Sequence, residues 1–215
     1  MKTQMGLMLR SNPYKGKLIA FEGTDGAGKT TLINKTTEWL KRKLGDENVL
    51  CVKQPTDMSR KTRLFQKMMY CKNHEDIDYR AVQLLTMSDR VQHGTEVIEP
   101  ALESGKTVIC DRYVFTSLAN MLARGYTQEV WFFEAAKYLV RPDFTFLANV
   151  EPSLAISRIK NRPEEAERHL NEELLKRVSQ NFVDMAEREK FIVLDTSENA
   201  DIPFSIIKEN LGGVV

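Results

Sequence analysis

Lys17-Leu18-Ile19-Ala20-Phe21-Glu22-Gly23-Thr24-Asp25-Gly26-Ala27-Gly28-Lys29-Thr30-Thr31 is the stretch on which the fold turns. From Gly23 to Thr30 it spells G-x-x-x-x-G-K-T, the pattern of a phosphate-binding loop. Glycines let backbone N–H groups face phosphate oxygens with no side chain in the way. A helix starting there adds unpaired N–H donors and a partial positive charge. Lys29 can reach the β- and γ-phosphates of a bound nucleotide, and the Thr30 hydroxyl can ligate Mg2+. The setting agrees with the motif. Residues 17–21 form a short apolar strand, and 28–44 read as a helix with Leu32, Ile33, Thr36, Leu40 and Leu44 near one face. A plain glycine turn in a βα unit is the bland alternative, and ordinary glycine usage makes that coincidence rare.

Working outward, 215 residues suit one domain. Residues 1–16 carry Lys2 and Arg10 with no long apolar core and read as a loose leader, not a signal peptide. Lys and Arg total 31 against 30 Asp and Glu, and a net charge of +1 gives no electrostatic pull toward nucleic acid or an anionic membrane. No apolar run approaches the ~20 residues that span a bilayer. Cys51, Cys71 and Cys110 make no C-x-x-C pair. Cys51 and Cys110 fall in apolar runs and read as buried thiols of a cytoplasmic protein.

Five apolar runs alternate with helical patterns: 17–21, 49–52, 107–110, 144–150 and 191–194. The spacing predicts an α/β fold of three layers, a five-stranded parallel sheet flanked by helices. Lys53 to Asp57 reads as a loop, and 64–71 as a short helix whose Met68-Met69 pair serves packing. The longest helical pattern is 78–104, with Ala81, Leu84, Leu85, Ser88, Val91, Ile98 and Leu102 at a period near 3.6 and Pro100 as a kink. Asp89 and Arg90, inside it, are expected to face solvent. Further helices are expected over about 116–123, 128–139, 152–160, up to about 188, and from 201.

Asp111 ends the third apolar run, which puts it at the sheet edge beside the phosphate loop, where a second acidic group holds Mg2+ in such folds. Arg112 follows and can grip phosphate oxygens bidentately, with a surface salt bridge as the alternative. Arg158, Lys160, Arg162 and Arg168 form a basic cluster broken by Pro163. It is either a solvated helix face or a short mobile lid, over about 157–172, that carries arginine to a transferring phosphoryl group. His74, His93 and His169 are scattered and offer no general base. A phosphate acceptor needs none, because its oxygen is already ionised, and this points to a nucleoside monophosphate.

These residues together resemble the thymidylate kinase family. Phe21 to Thr31 is similar to its phosphate loop, including Asp25. Asp89-Arg90-Val91-Gln92-His93 resembles its D-R segment, Asp111-Arg112-Tyr113-Val114-Phe115-Thr116-Ser117 its D-R-Y/H motif, and Arg141-Pro142-Asp143 the R/K-P-D before its fourth strand. The likeness runs from about Lys17 to Leu194, with Arg158 and Arg162 in register with the lid arginines.

The resemblance implies a Mg2+- and ATP-dependent nucleoside monophosphate kinase of P-loop fold, acting on dTMP first and working as a homodimer through its 78–104 helix. ATP is expected on Gly23, Thr24, Asp25, Gly26, Ala27, Gly28, Lys29, Thr30 and Thr31, and the metal on Thr30 and Asp111. The catalytic set is Lys29, Arg112, Arg158 and Arg162. The acceptor set is Asp25 (toward the 3′-hydroxyl), Gln54, Thr56, Thr86, Arg90, Arg112, Thr116, Ser117 and Asn120. Gly26 stands where some members carry a loop arginine, which fits the subclass whose arginines come from the lid. Three positions depart from the family. Thr86 replaces an aromatic that stacks on thymine, Asn120 replaces Tyr or Phe against the deoxyribose, and the lid reads Glu167-Arg168-His169-Leu170. They imply looser reading of sugar and base, with Tyr113, Phe115 or Tyr126 as sources of a compensating ring. The rivals are a kinase for another or modified pyrimidine nucleotide and a non-catalytic nucleotide-binding module. A GTPase switch needs N-K-x-D, and Asn34-Lys35-Thr36-Thr37 fails at its fourth position.

Overall fold

Apolar residues that alternate in direction along a strand build two cores, one on each face of a sheet. The computed structural model, which describes residues 6–70, 76–163 and 170–213, has this arrangement. Its strands are β1 (Lys17–Glu22), β2 (Val49–Lys53), β3 (Thr107–Asp111), β4 (Phe144–Asn149) and β5 (Ile192–Asp195). They pair in parallel in the order β2-β3-β1-β4-β5. Leu18, Ala20, Val108, Cys110 and Leu147 join one core, while Ile19, Phe21, Ile109, Phe146 and Ala148 join the other. The second core is closed by α1 (Lys29–Leu44), α8 (Pro152–Lys160) and α10 (Asp201–Leu211). The first is closed by α4 (Tyr79–His93), α5 (Glu99–Glu103), α6 (Val114–Ala123), α7 (Val130–Ala136) and much of α9 (Glu172–Glu189). Two short helices, α2 (Asp57–Arg60) and α3 (Arg63–Tyr70), precede α4. Among the described residues no helix is long and apolar enough to cross a membrane.

The three-layer reading holds, and several local expectations change. Residues 6–16 are not a loose leader. Leu7 and Leu9 are buried, and Arg10 bridges in parallel to Val140. Residues 53–57 are not all loop, because Thr56 caps α2 by accepting from the Met58 N–H at 3.2 Å. The 78–104 pattern is not one α-helix. Pro100 has no N–H to bond one turn back, and the chain widens into a π-turn over Gly94–Ile98 before α5. Cys51 is exposed while Cys110 is buried, because β2 is an edge strand with one open face. Cys71 and His74 lie outside the described residues.

The larger change concerns α4. Its buried side is Tyr79, Val82, Gln83, Thr86, Met87, Asp89 and Arg90, while Ala81, Leu84 and Ser88 point outward and Leu84 is 54% exposed. Asp89 and Arg90 are each 1% exposed instead of solvent-facing. Asp89 accepts from the Thr56 N–H at 2.6 Å and its hydroxyl at 2.7 Å. Arg90 donates to the carbonyls of Thr86 at 3.1 Å and Tyr113 at 3.2 Å. Buried charges persist only where such partners exist.

Candidate active site

Parallel order puts the carboxyl ends of β1 and β3 side by side, with Phe21 in register with Asp111. The phosphate loop leaves one and Asp111-Arg112 leaves the other, above the point where the sheet order reverses, where ligands bind in open α/β sheets. The loop packs tightly against its support. Gly23 (φ 134°) and Gly26 (φ 78°) take conformations that side chains rarely adopt. A Cβ at Gly23 would lie 2.4 Å from the Ala148 carbonyl oxygen, and one at Gly26 would lie 2.3 Å from that of Ala155 on α8. The backbone at Gly26 therefore has no room for the loop arginine of some relatives.

Lys29 is buried, and its Nζ donates to the carbonyls of Gly23 at 3.0 Å and Thr24 at 2.7 Å. Burial, with Arg112 adding to it, pushes its pKa down to about 7 against the pull of Asp25, Asp111 and Glu22. Arg112 sits at φ 67°. Its Nη1 donates to the Gly23 carbonyl at 2.9 Å and to Thr116 Oγ1 at 3.2 Å, and its Nη2 meets the Asp25 carboxylate. Burial opposes the guanidinium charge, but Asp25, Asp111 and Glu22 outweigh it and raise its pKa. Asp111 Oδ1 is buried with no hydrogen-bond partner, and Lys53 stands 3.7 Å from Oδ2.

These groups open onto a cavity of about 340 Å3. Of the donor-side residues, Thr24, Asp25, Gly26, Gly28, Lys29 and Thr30 line it. Gly23 underlies the loop, Ala27 is buried with its carbonyl taken by Thr196 Oγ1 at 2.9 Å, and Thr31 is exposed on α1. Of the acceptor set, Asp25, Thr86, Arg90, Arg112, Thr116, Ser117 and Asn120 line it, as does Asp111. Gln54 and Thr56 do not. Gln54 is fully buried with Nε2 at 3.1 Å from His93 Nδ1, and Thr56 is bound to Asp89. Both act behind the wall, holding α4.

The two expected lid arginines part company. Arg162 lines the cavity. Arg158 does not, and instead donates to the carbonyls of Thr196 at 2.9 Å and Ser197 at 3.0 Å, and more weakly to that of Gly26 in the phosphate loop at 3.5 Å. Residues 164–169, with Arg168 and His169, lie outside those described. Arg162→Ala is therefore expected to lower kcat about 10²-fold, as for a lost transition-state donor. Arg158→Ala is expected to act mainly on the donor KM, through the loop after β5. Steady-state kinetics with each substrate varied separates the two, and equal kcat losses would contradict the split.

Sequence reasoning missed Arg60, Phe65, Tyr79, Gln83 and Arg124, which line the cavity; Met68 and Met69, read as packing, do pack against the first core and line the cavity as well. Arg124 carried a signal, since Thr116, Asn120 and Arg124 recur every four residues. Asn120 Nδ2 donates to the Thr116 carbonyl at 2.9 Å, and Arg124 Nη1 donates to Asn120 Oδ1 at 2.8 Å. The Arg124 guanidinium lies 4.0 Å from the Tyr79 ring centre. The rings on the cavity wall are Phe65 and Tyr79. Tyr113 and Phe115 are buried in the core, and Tyr126 packs behind Tyr79 at 6.3 Å.

A doubly wound parallel sheet, a lysine-bearing phosphate loop and an opposed arginine over one cavity define a P-loop phosphotransferase. The family model for thymidylate kinase matches residues 21–204. A probable thymidylate kinase of Pyrococcus abyssi is 38% identical over 176 residues, 80% of this chain and 84% of that protein. One of Thermococcus gammatolerans is 34% identical over 93% of this chain and 100% of its own length. The thymidylate kinase of Ligilactobacillus salivarius is 32% identical over 87% and 93%. The crystal structure of thymidylate kinase from Ehrlichia chaffeensis shares the fold, with a TM-score of 0.66 at 21% identity, covering 91% of this chain and 98% of that one. The chain belongs to the thymidylate kinase family.

Proposed function

We propose that the protein transfers the γ-phosphoryl group of ATP to the phosphate of a pyrimidine deoxynucleoside monophosphate, dTMP first, giving dTDP and ADP. The observation that carries this reading is Arg112, joined to Asp25 and the Gly23 carbonyl, facing the same cavity as Lys29. Loop amides and Lys29 would hold the donor phosphates, and Arg112 the acceptor phosphate, whose ionised oxygen attacks without a base. Excluding water from this cavity strengthens every charge contact in it. Thr30 and Asp111 suit Mg2+. The exposed Thr30 hydroxyl lines the cavity, and the unpartnered Asp111 Oδ1 is an oxygen donor in search of a partner. The described residues hold no cluster of three or more acidic, His or Cys ligands, which matches a metal bound largely by phosphate and water. When bound, that ion supplies neutralisation of charge on the phosphate oxygens.

Asn120 is a short wall whose amide is already engaged by Thr116 and Arg124, so it leaves room beside the sugar. The expected result is a modest preference for dTMP over UMP in kcat/KM, which Asn120→Tyr raises about tenfold by crowding the 2′-hydroxyl. A panel of dTMP, dUMP, UMP and a 5-substituted analogue measures it. An unchanged ratio would show that position 120 does not face the sugar.

We place the enzyme in the cytoplasm, in keeping with the free thiols of Cys51 and Cys110, and propose a homodimer through the outward stripe of α4. Ala81, Leu84 and Ser88 share that face, and the exposed Leu84 flanked by two small residues lets a partner helix approach closely. Sedimentation is expected to give twice the chain mass, and Leu84→Glu to give the single chain. An unshifted Leu84→Glu contradicts this interface.

A further inference from the structure

Glu22 is wholly buried yet lines no part of the cavity. A carboxylate taken out of water must find donors. Glu22 finds three, all on the segment after β3. Its Oε1 accepts from the N–H of Tyr113 at 2.9 Å and of Thr116 at 3.3 Å, and its Oε2 accepts from the Thr116 hydroxyl at 2.5 Å. Tyr113 is the residue that enters α6, and it gives that helix no side-chain cap. Its ring is buried and its hydroxyl donates to the Val140 carbonyl at 2.8 Å. The cap of α6 therefore comes from β1.

Arg112 lies between these anchors in the left-handed region, which a residue with a Cβ adopts only when its surroundings hold it there. Two bonds bracket it. Its own N–H donates to the Phe21 carbonyl at 2.9 Å, and the next N–H, that of Tyr113, donates to Glu22. Consecutive residues of β1 thus hold consecutive peptide groups on either side of Arg112. The guanidinium is set by the same carboxylate. Arg112 Nη1 can only donate, so Thr116 Oγ1 accepts from it, and Glu22, by accepting the one hydroxyl proton, holds that oxygen's lone pairs toward Arg112.

We infer that Glu22 is a positioning residue for phosphoryl transfer, which fixes Arg112 for the acceptor phosphate and ties the strand of the phosphate loop to the acceptor helix. The inference rests on the function proposed above. A plain helix cap would affect stability and both substrates alike; a positioning residue acts on the acceptor.

The test compares wild type, Glu22→Ala and Glu22→Gln in steady-state kinetics with ATP and dTMP varied separately, alongside thermal melts and calorimetric binding of dTMP. Glu22→Ala is expected to raise the KM and Kd for dTMP about tenfold, the scale of one charge-assisted hydrogen bond, with the ATP KM within about twofold. Glu22→Gln keeps one acceptor oxygen but loses the charge and the second acceptor, and is expected to show a smaller rise, about threefold, still confined to the dTMP constants. An alanine variant that melts earlier but keeps the wild-type dTMP constants, or one whose two KM values rise together, overturns the inference. Should the alanine variant not fold, a glutamine variant that binds dTMP as wild type while Arg112→Ala does not also overturns it, and a selective rise in its dTMP constants supports it. A wild type that binds dTMP without phosphorylating it contradicts the proposed function, and the Glu22 comparison is then decided by Kd. A wild type that does not bind dTMP overturns both.

Discussion

Lys29→Met is expected to abolish turnover while the protein stays folded. Lys29 is buried, and among the described residues its hydrogen-bond partners are the loop carbonyls of Gly23 and Thr24. Burial holds its pKa down to about 7, so an ammonium at this place costs the fold stability. Methionine has a similar unbranched reach, fills the same channel and removes that cost. What it cannot supply is charge at the donor phosphates. Loss of one neutral preorganised donor in a water-excluded site lowers kcat by about 10²–10³-fold, and loss of a full charge at the transferring group exceeds that and takes turnover below detection. The melting temperature is expected to stay level or rise. A folded variant with wild-type kcat, or one that does not fold, contradicts the assigned role.

Arg112→Ala is expected to lower kcat/KM for dTMP by about 10²–10³-fold, equivalent to ~3–4 kcal/mol, with the ATP KM nearly unchanged. The guanidinium is mostly buried, bonds to three groups and lies against the Asp25 carboxylate. Alanine at this position inherits the same left-handed backbone, so the comparison isolates the guanidinium from the strain. Arg112→Lys keeps the charge but loses the planar fork, and is expected to recover only part of the loss. Equal damage to donor and acceptor constants would make Arg112 a structural strut of the loop instead.

The sheet was legible because its strands are unbroken apolar runs set off by Gly, Pro and polar turns, and burial on both faces needs such runs. Which strands lie at the edges was not legible. Cys51 on β2 and Val193 on β5 sit in apolar runs and are exposed, since edge position depends on sheet order, not on local composition. The helical period of residues 78–93 was right and its buried side only in part: Leu85 and Val91 pack against the core, while Ala81, Leu84 and Ser88 face outward. Asp89 and Arg90 look like a solvated pair, but a polar cavity turns their side of α4 inward and leaves Leu84 outside. In the site, the spacing of the loop and Asp111 could be read because each sits at the end of a strand. Arg60, Tyr79 and Arg124 belong to separate stretches, α2, α4 and the end of α6, which only the packed fold brings to one cavity. Gln54 and Thr56 were placed at the acceptor and stand one layer behind it.

Transfer of label from γ-32P ATP in the presence of dTMP and Mg2+ tests the central claim most directly. Label is expected in dTDP, one for each ADP formed, with no release of inorganic phosphate beyond background and none transferred by Lys29→Met. Label appearing only as inorganic phosphate, or remaining in ATP while dTMP is bound, would contradict the account.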